Sequence, residues 1–295
     1  MEALAQEMKL PVLGTNGYPL QDGAVYGPIH SRRYGHSLGI NPLPVSYKFC
    51  DFDCVYCQYG FTPRTLLPTA AKAEESRNRS DFGAPRQGNA AQKTDEKLKP
   101  LPVLMSEIES SLKKMKSKNT PVDVITIAGN GEPTLYPNFL DFVKALIPLS
   151  KRYYPKVRIG ILSDSSQCHR PEIKEALELL DERCMKLDAG DEKTIEEINR
   201  PAGGFDLKRT LAALKALKGA TLQALFVQGS YDNTQDDQVE QWVEAVHFVK
   251  PETVQVYTID RPPADSGIQA VPLEKLRAIA ELCKKKTGIT TEVFD

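Results

Sequence analysis

Three cysteines fall within eight residues, Cys50-x3-Cys54-x2-Cys57 in KFCDFDCVYCQYG (48–60), and no fourth thiol follows at a matching spacing. Thiolates are soft donors that select zinc, Cu(I) or iron–sulfur clusters. A closed zinc site needs a fourth ligand, and the nearest donors are His30 and His36, upstream in a Gly-rich segment. A zinc site completed by His36 is one reading, and it describes a binding protein with no catalytic cycle. A [4Fe–4S] cubane ordinarily takes four cysteines, so three leave one iron open to a substrate or cofactor. That second reading gives the missing ligand a purpose.

A second constellation is AGNGEPTL (128–135). Glycines there let backbone approach a ligand closely, and Glu132 offers a carboxylate that accepts from an ammonium. Taken alone, Gly, Asn and Pro also make an ordinary turn. Polar residues end two further apolar runs: Ser163 and Asp164, and Lys186 and Asp188. Hydroxyl or carboxylate to ribose, and ammonium to carboxylate, are the natural pairings at such positions, and helix capping is the competing use. Asn199 and Arg200 in INRP either face a substrate or make a turn before Pro201. Cys168 is a candidate hydrogen-atom donor, set against an incidental loop cysteine. Cys184, Cys283 and Trp242 read as core. Arg32 and Arg33 with His30 and His36 form a small basic cluster, suited to phosphate or simply to solvent.

The spacing CxxxCxxC with Tyr56 before its last cysteine resembles the signature of the radical S-adenosylmethionine (SAM) superfamily. The resemblance implies a partial (β/α)6 barrel in which Cys50, Cys54 and Cys57 ligate a [4Fe–4S] cluster. It implies that SAM chelates the open iron and is cleaved reductively to methionine and a 5′-deoxyadenosyl radical, which abstracts hydrogen from a substrate. The family carries a Gly-Gly-Glu-Pro-like motif, here Asn130-Gly131-Glu132-Pro133, so Gly129, Asn130, Gly131 and Glu132 are expected around the SAM amino group. Tyr56, Ser163, Asp164, Lys186 and Asp188 are expected around the rest of the cofactor. Together YGPIHSRRYGHSLGINPLP, CVYCQYG, GNGEPTL, KLDAGD, INRP and TIDRPP resemble the wybutosine-synthesis-related oxidoreductases, whose characterised members build a tricyclic tRNA base. Those enzymes use a second cluster held by N-terminal cysteines, and residues 1–49 contain none. The implied partners are an electron donor such as flavodoxin or ferredoxin and a substrate that is a tRNA, a peptide or a small metabolite.

Positioning these groups requires an alternating α/β chain. Apolar runs at 122–129, 156–163, 183–190, 222–229 and 253–260 predict parallel strands covered on both faces, and PVSYKF (44–49) predicts a further strand leading into the cysteines. Between them, Ser106 and Glu109 form a capping-box pattern before the first helix, Asn138 caps the next, and Pro171 and Pro272 suit first helical positions. Six β-then-α units are too few for an eight-fold barrel and predict a partial one. Residues 44–295 are the expected core domain, and residues 1–43 an irregular extension packed on it. Residues 62–100 are polar, with one aromatic residue, and predict a flexible insertion.

The remaining composition is that of an ordinary globular protein, with 41% hydrophobic and 26% charged residues. A formal net charge of −1 gives no overall basic footprint for nucleic acid. No apolar run reaches membrane-span length, and the N-terminal residues lack the apolar stretch of a secretory signal. With Cys168, Cys184 and Cys283 scattered through a chain without an export signal, no disulfide framework is expected and a reducing cytoplasm is the expected compartment.

Overall fold

The computed structural model describes residues 11–31, 34–63 and 96–295. The chain enters through an antiparallel hairpin, β1 (Val25–Ser31) and β2 (Gly35–Ile40). After the cysteine loop come α1 (Leu101–Ser117), β3 (Val124–Ile127), α2 (Phe139–Tyr153), β4 (Arg158–Ser163), α3 (Pro171–Glu178), β5 (Glu182–Lys186) and two short helices, α4 (Glu192–Ile198) and α5 (Leu207–Ala216). Then follow β6 (Ala220–Leu225), β7 (Val227–Gly229), α6 (Asp236–Val249), β8 (Thr253–Tyr257), β9 (Ile268–Ala270), α7 (Leu273–Thr287) and β10 (Thr291–Phe294). One sheet runs β1-β2-β3-β4-β5-β6-β8-β10, and β7 pairs with β9 in a separate two-stranded ribbon. From β2 to β10 every pairing in the main sheet is parallel.

β2, β3, β4, β5, β6 and β8 are each followed by helix, which makes the six units of a partial (β/α)6 barrel open between β1 and β10. The strands are buried because helices cover them. β3 is buried at all four positions, and Leu104, Ile108 and Leu112 of α1 meet it at helical spacing beside Phe139, Phe142, Val143 and Leu146 of α2. Short connections of this kind leave the strand C-terminal ends free to carry loops, where β/α barrels place their chemistry. Among the described residues no helix is long and apolar enough to cross a membrane.

Three sequence expectations need correction. The first barrel strand is β2 (35–40), not 44–49, so the stretch before residue 44 carries a hairpin of the main sheet rather than only irregular chain. In 44–49 the backbone amides are used otherwise: Val45 and Ser46 donate to the Glu96 carboxylate at 2.9 and 2.8 Å. α1 begins at Leu101 behind Pro100, with Pro102 in its first turn, and Ser106 lies inside the helix instead of capping it. Pro272 is the residue before α7, not its first helical one.

Of the expected insertion, residues 64–95 lie outside the described residues, as do 1–10, Arg32 and Arg33. Its last residues are tied down: Tyr47 Oη donates to Glu96 O (3.0 Å), and Tyr136 Oη to Lys99 O (2.7 Å). At the chain's end, β10 is a parallel strand that sequence patterning did not indicate.

Candidate active site

The cysteine loop leaves the C-terminal end of β2 and is held by the turn after β3. Phe49 N donates to Asn130 O at 2.7 Å, and Glu132 N donates back to Phe49 O at 3.0 Å. Gly131 is required for this contact: its φ is +144°, and a Cβ there would stand 1.7 Å from Phe49 O. Within the loop, Cys57 N bonds Cys54 O and Gly60 N bonds Cys57 O, which winds the three thiols into one compact turn. Cys50 and Cys54 are buried and Cys57 is half-buried. Backbone and side-chain donors point at the sulfurs, Phe52 N to Cys50 Sγ (3.4 Å) and Asn199 Nδ2 to Cys54 Sγ (3.5 Å).

Lys48 reaches along this loop and donates from Nζ to Gly60 O at 3.1 Å, with 1% of its surface exposed. Burial works against its charge, but Cys57, Cys50, Asp53 and Cys54 outweigh burial and hold its pKa above the usual lysine range. Without a metal, burial pushes the Cys54 thiol up to about 12, and burial with Asp164 beside it takes Cys50 well above its ordinary value. Such thiols need a cationic centre to become thiolates.

Three carboxylates gather on the Cys50 side. Asp164 Oδ2 lies 3.6 Å from Cys50 Sγ, and the ligand atoms of Cys50, Asp51 and Asp164 all fall within 4.8 Å of one another. Glu132 stands behind them, 2% exposed. Its Oε1 accepts from Thr134 N (3.0 Å), Thr134 Oγ1 (2.5 Å) and Ser163 Oγ (2.9 Å), while among the described residues Oε2 accepts only from Asp164 N (2.6 Å). Burial, with the charge of Asp51, pushes Glu132 up to about 7 despite those hydrogen bonds. Asp164 is raised well above its ordinary value by burial and then by Asp51 and Glu132. Ser165, at φ +74°, turns the chain so that Asp164 faces back toward the cysteines, a strained conformation of the kind found at functional sites. Asp51 accepts from Gln167 Nε2 at 2.8 Å on one oxygen, and its other oxygen, Oδ1, is buried with no hydrogen-bond partner among the described residues.

Opposite this acidic wall, Asp188 organises a second network. Its Oδ1 accepts from Leu225 N (2.8 Å) and pairs with Lys186 Nζ (2.8 Å); its Oδ2 accepts from Asn199 Nδ2 (2.7 Å) and from Tyr56 Oη. Lys186 also donates to Tyr257 Oη at 2.9 Å and lies 4.8 Å from the centres of the Tyr56 and Tyr257 rings. Burial opposes the Lys186 charge, yet Asp188 and Tyr257 hold it above the usual lysine range. Phe52, Asp164, Lys186, Asp188, Asn199 and Phe205 line one cleft beside the cysteines.

The structure therefore brings Cys50, Cys54, Cys57, Tyr56, Gly129, Asn130, Gly131, Glu132, Ser163, Asp164, Lys186 and Asp188 to one end of the sheet, and several of their side chains are also bonded within the protein. Asn130 spends its side chain on the scaffold, accepting from Gln21 N (2.8 Å) and donating to Gln21 O and Pro44 O (both 2.9 Å). That is a use a glycine could not serve. Ser163 is a strut between Glu132 and Ser165 N. Asp188 is fully engaged by protein donors and orients Lys186 and Tyr56 instead of reaching out. Gly129 is packed against Asn41, whose Oδ1 would be 2.0 Å from a Cβ there. Cys168 is packed in the hydrophobic core, 3% exposed, with its thiol pushed up to about 12 by burial.

Cys184, Cys283 and Trp242 are core, as expected. His36 sits at the N-terminal end of β2, where its Nδ1 meets Asp123 Oδ2 at 2.9 Å, so it is at the wrong end of the sheet to complete a zinc site. Sequence reasoning missed Lys48, Asp51, Gln167 and Tyr257. Asp51 and Lys48 flank Cys50 in sequence, and that proximity was the only signal they gave.

The donor set fits an iron–sulfur cluster with a cationic ligand beside it. Three soft thiols share one loop, and among the described residues the other three cysteines lie in the core. The orphaned Asp51 oxygen, Asp164 and the open lone pairs of Glu132 Oε2 offer buried negative charge that a neutral ligand would leave uncompensated. An ammonium or sulfonium group suits that wall, and Lys186 suits a carboxylate.

Comparison with known proteins agrees. The sequence matches the Radical SAM superfamily over residues 45–249. A UPF0026 protein of Helicobacter pylori (strain J99 / ATCC 700824) is 28% identical over 244 residues, which are 81% of this chain and 67% of the relative. Among solved structures, TYW1 with a bound lysine-pyruvate adduct superposes with a TM-score of 0.56 at 13% identity, over 86% of this chain and 75% of that one. SuiB of Streptococcus suis bound to S-adenosylmethionine gives 0.52 at 17% identity, over 88% and 47%. At these identities the structural likeness speaks for the fold. Together with the family match over more than half of its length, it establishes that the chain belongs to the radical SAM superfamily.

Proposed function

We propose that the protein is a radical SAM enzyme in which Cys50, Cys54 and Cys57 hold one [4Fe–4S] cluster and S-adenosylmethionine occupies the open iron. When bound, the reduced cluster and SAM supply one-electron cleavage of the sulfonium to methionine and a 5′-deoxyadenosyl radical, which takes a hydrogen atom from substrate. The observation that carries this reading is the pairing of a three-thiol loop with the acidic wall of Asp51, Asp164 and Glu132 beside Cys50. A structural zinc or iron–sulfur site has no use for three buried carboxylates next to its ligands.

In this reading Glu132 holds the turn after β3 against Asp164 and keeps Oε2 lone pairs for the methionyl ammonium. Asp164 and Asp51 supply the rest of the negative charge. Lys186, oriented by Asp188 and Tyr257, faces the carboxylate or ribose side of the cleft. Phe52 and Phe205, ring centroids 5.4 Å apart, close the cleft's apolar wall and keep water from a reactive radical. Turnover requires a one-electron donor such as flavodoxin or ferredoxin.

For the substrate, a tRNA base is the class that the motif resemblance suggests. The lack of cysteine in residues 1–49 separates this chain from enzymes that build a second cluster there, and a peptide or small metabolite is the competing class. The cofactor assignment is tested by anaerobic reconstitution with iron and sulfide. A broad brown absorption with about four irons per chain is expected, and Ala at any one of the three loop cysteines abolishes it. A chain that instead takes up a single zinc and no iron contradicts the assignment.

A further inference from the structure

Lys48 is a buried cation built into the cysteine loop that the cofactor reading does not use. Its side chain spans from residue 48 to Gly60 O, so the lysine closes a ring of chain that carries all three cysteines. The loop already has a backbone hydrogen-bond path along its length, Cys57 N to Cys54 O and Gly60 N to Cys57 O. Closing it needs no charge, and a neutral donor would serve. Yet the closing group is an ammonium with 1% of its surface exposed.

A buried ammonium normally has a carboxylate partner, because an unpaired buried charge is costly. Among the described residues none lies within ion-pair distance of Lys48, and its one hydrogen-bond acceptor is a neutral carbonyl. Its Nζ meets Gly60 O, and Gly60 N in turn bonds Cys57 O, so the ammonium closes the turn that carries Cys50, Cys54 and Cys57; these thiols and Asp53 are the acidic groups that favour its charge. Asp53 is committed elsewhere, accepting from Thr62 N at 2.5 Å. What remains is the thiol set. These sulfurs are charged only as thiolates, and they are thiolates when they ligate metal.

We propose that Lys48 is a positioning residue whose ammonium is the built-in counter-ion of the three cluster thiolates, stabilising the metal-loaded loop and making the cluster easier to reduce. The inference rests on the cluster reading above. The electrostatics follow from sign alone: one-electron reduction makes the cluster more negative, and a nearby fixed cation favours the more negative state. Reduction of a cluster of low potential is thereby assisted.

The test compares wild type with Lys48→Gln, which keeps a donor near Gly60 O without the charge, with Lys48→Met, which keeps only the bulk, and with Lys48→Arg, which keeps the charge. Each protein is reconstituted, its iron counted, and its midpoint potential read by electron paramagnetic resonance during a potentiometric titration without SAM. The expected result is a midpoint shifted to more negative potential in the Gln and Met variants and close to wild type in Arg. A Gln variant with full iron and a wild-type midpoint overturns the proposal. For variants that fold but lose iron, the apo chains are titrated with Cd2+ through the thiolate-to-metal ultraviolet absorption. Binding weaker by about tenfold or more in Gln and Met, restored in Arg, is expected, and equal Cd2+ affinity in all four proteins overturns the proposal. Should wild type take up no iron at all, the cluster reading fails by itself, and the Cd2+ series still decides whether Lys48 serves the thiolates.

Discussion

Replacing Glu132 by Gln tests the acidic wall through its cost to the fold. Burial raises the folded-state pKa of Glu132 from 4.5 to about 7. An acid whose pKa is higher in the folded than in the unfolded chain contributes stability that is fully present below the unfolded value and is lost as pH rises through the folded value. The window is therefore pH 4.5 to 7, and the rise corresponds to about 3 kcal/mol of stability lost across it. Asp164, raised for the same reason, adds loss of the same sign. His169 opposes it, since burial and Arg209 lower its pKa and its contribution grows with pH.

The informative quantity is thus the difference between proteins, not the raw slope. Urea unfolding of the metal-free chain at pH 5 and pH 8 should show Glu132→Gln losing less stability on going to pH 8 than wild type, by up to about 3 kcal/mol. At pH 5 the variant should be the less stable, because Oε1 accepts three hydrogen bonds and Oε2 one, and an amide cannot accept at both ends. The same pH dependence in both proteins would refute the picture of an uncompensated buried carboxylate awaiting a cation.

Gly131→Ala should destroy iron retention, since its Cβ would meet Phe49 O at 1.7 Å from a φ of +144°, and iron counting after reconstitution reads the result. Asp188→Ala leaves the Lys186 ammonium buried without its carboxylate and should destabilise the fold by roughly 3–5 kcal/mol in denaturant unfolding. Cys168→Ala should leave cluster content and SAM cleavage unchanged, because that thiol is packed in the core; its cost is a stability loss of about 1 kcal/mol for the small cavity.

The β/α alternation was legible because parallel strands covered on both faces are uninterrupted apolar runs, and β3, β4 and β8 fall inside their predicted spans. The first strand was misplaced for a physical reason. GHSLGI carries two glycines and a histidine and lacks a strand's composition, whereas PVSYKF has it but gives its amides to Glu96, half a hundred positions away in a segment read as featureless. β10 escaped notice because four residues, one of them charged, carry too little pattern.

In the site, the cysteine spacing and the Gly-Glu turn stood out in the sequence, and the fold brings the two together through Phe49, Asn130 and Glu132. The side chains of Asn130 and Ser163 are hydrogen-bonded within the protein, partnerships the sequence did not show. Lys48 and Asp51 gave no signal beyond their proximity to Cys50, because a buried charge gains its meaning from neighbours that the folded loop supplies.

The central claim is that the chain cleaves SAM by one-electron chemistry at a three-cysteine cluster. The most direct measurement is chromatographic quantification of 5′-deoxyadenosine and methionine after anaerobic incubation of the reconstituted, dithionite-reduced protein with SAM. The account predicts both products in equal amounts, slowly even without substrate, and neither from the Cys50→Ala, Cys54→Ala or Cys57→Ala protein. An intact, reducible cluster that forms no 5′-deoxyadenosine under these conditions would contradict it.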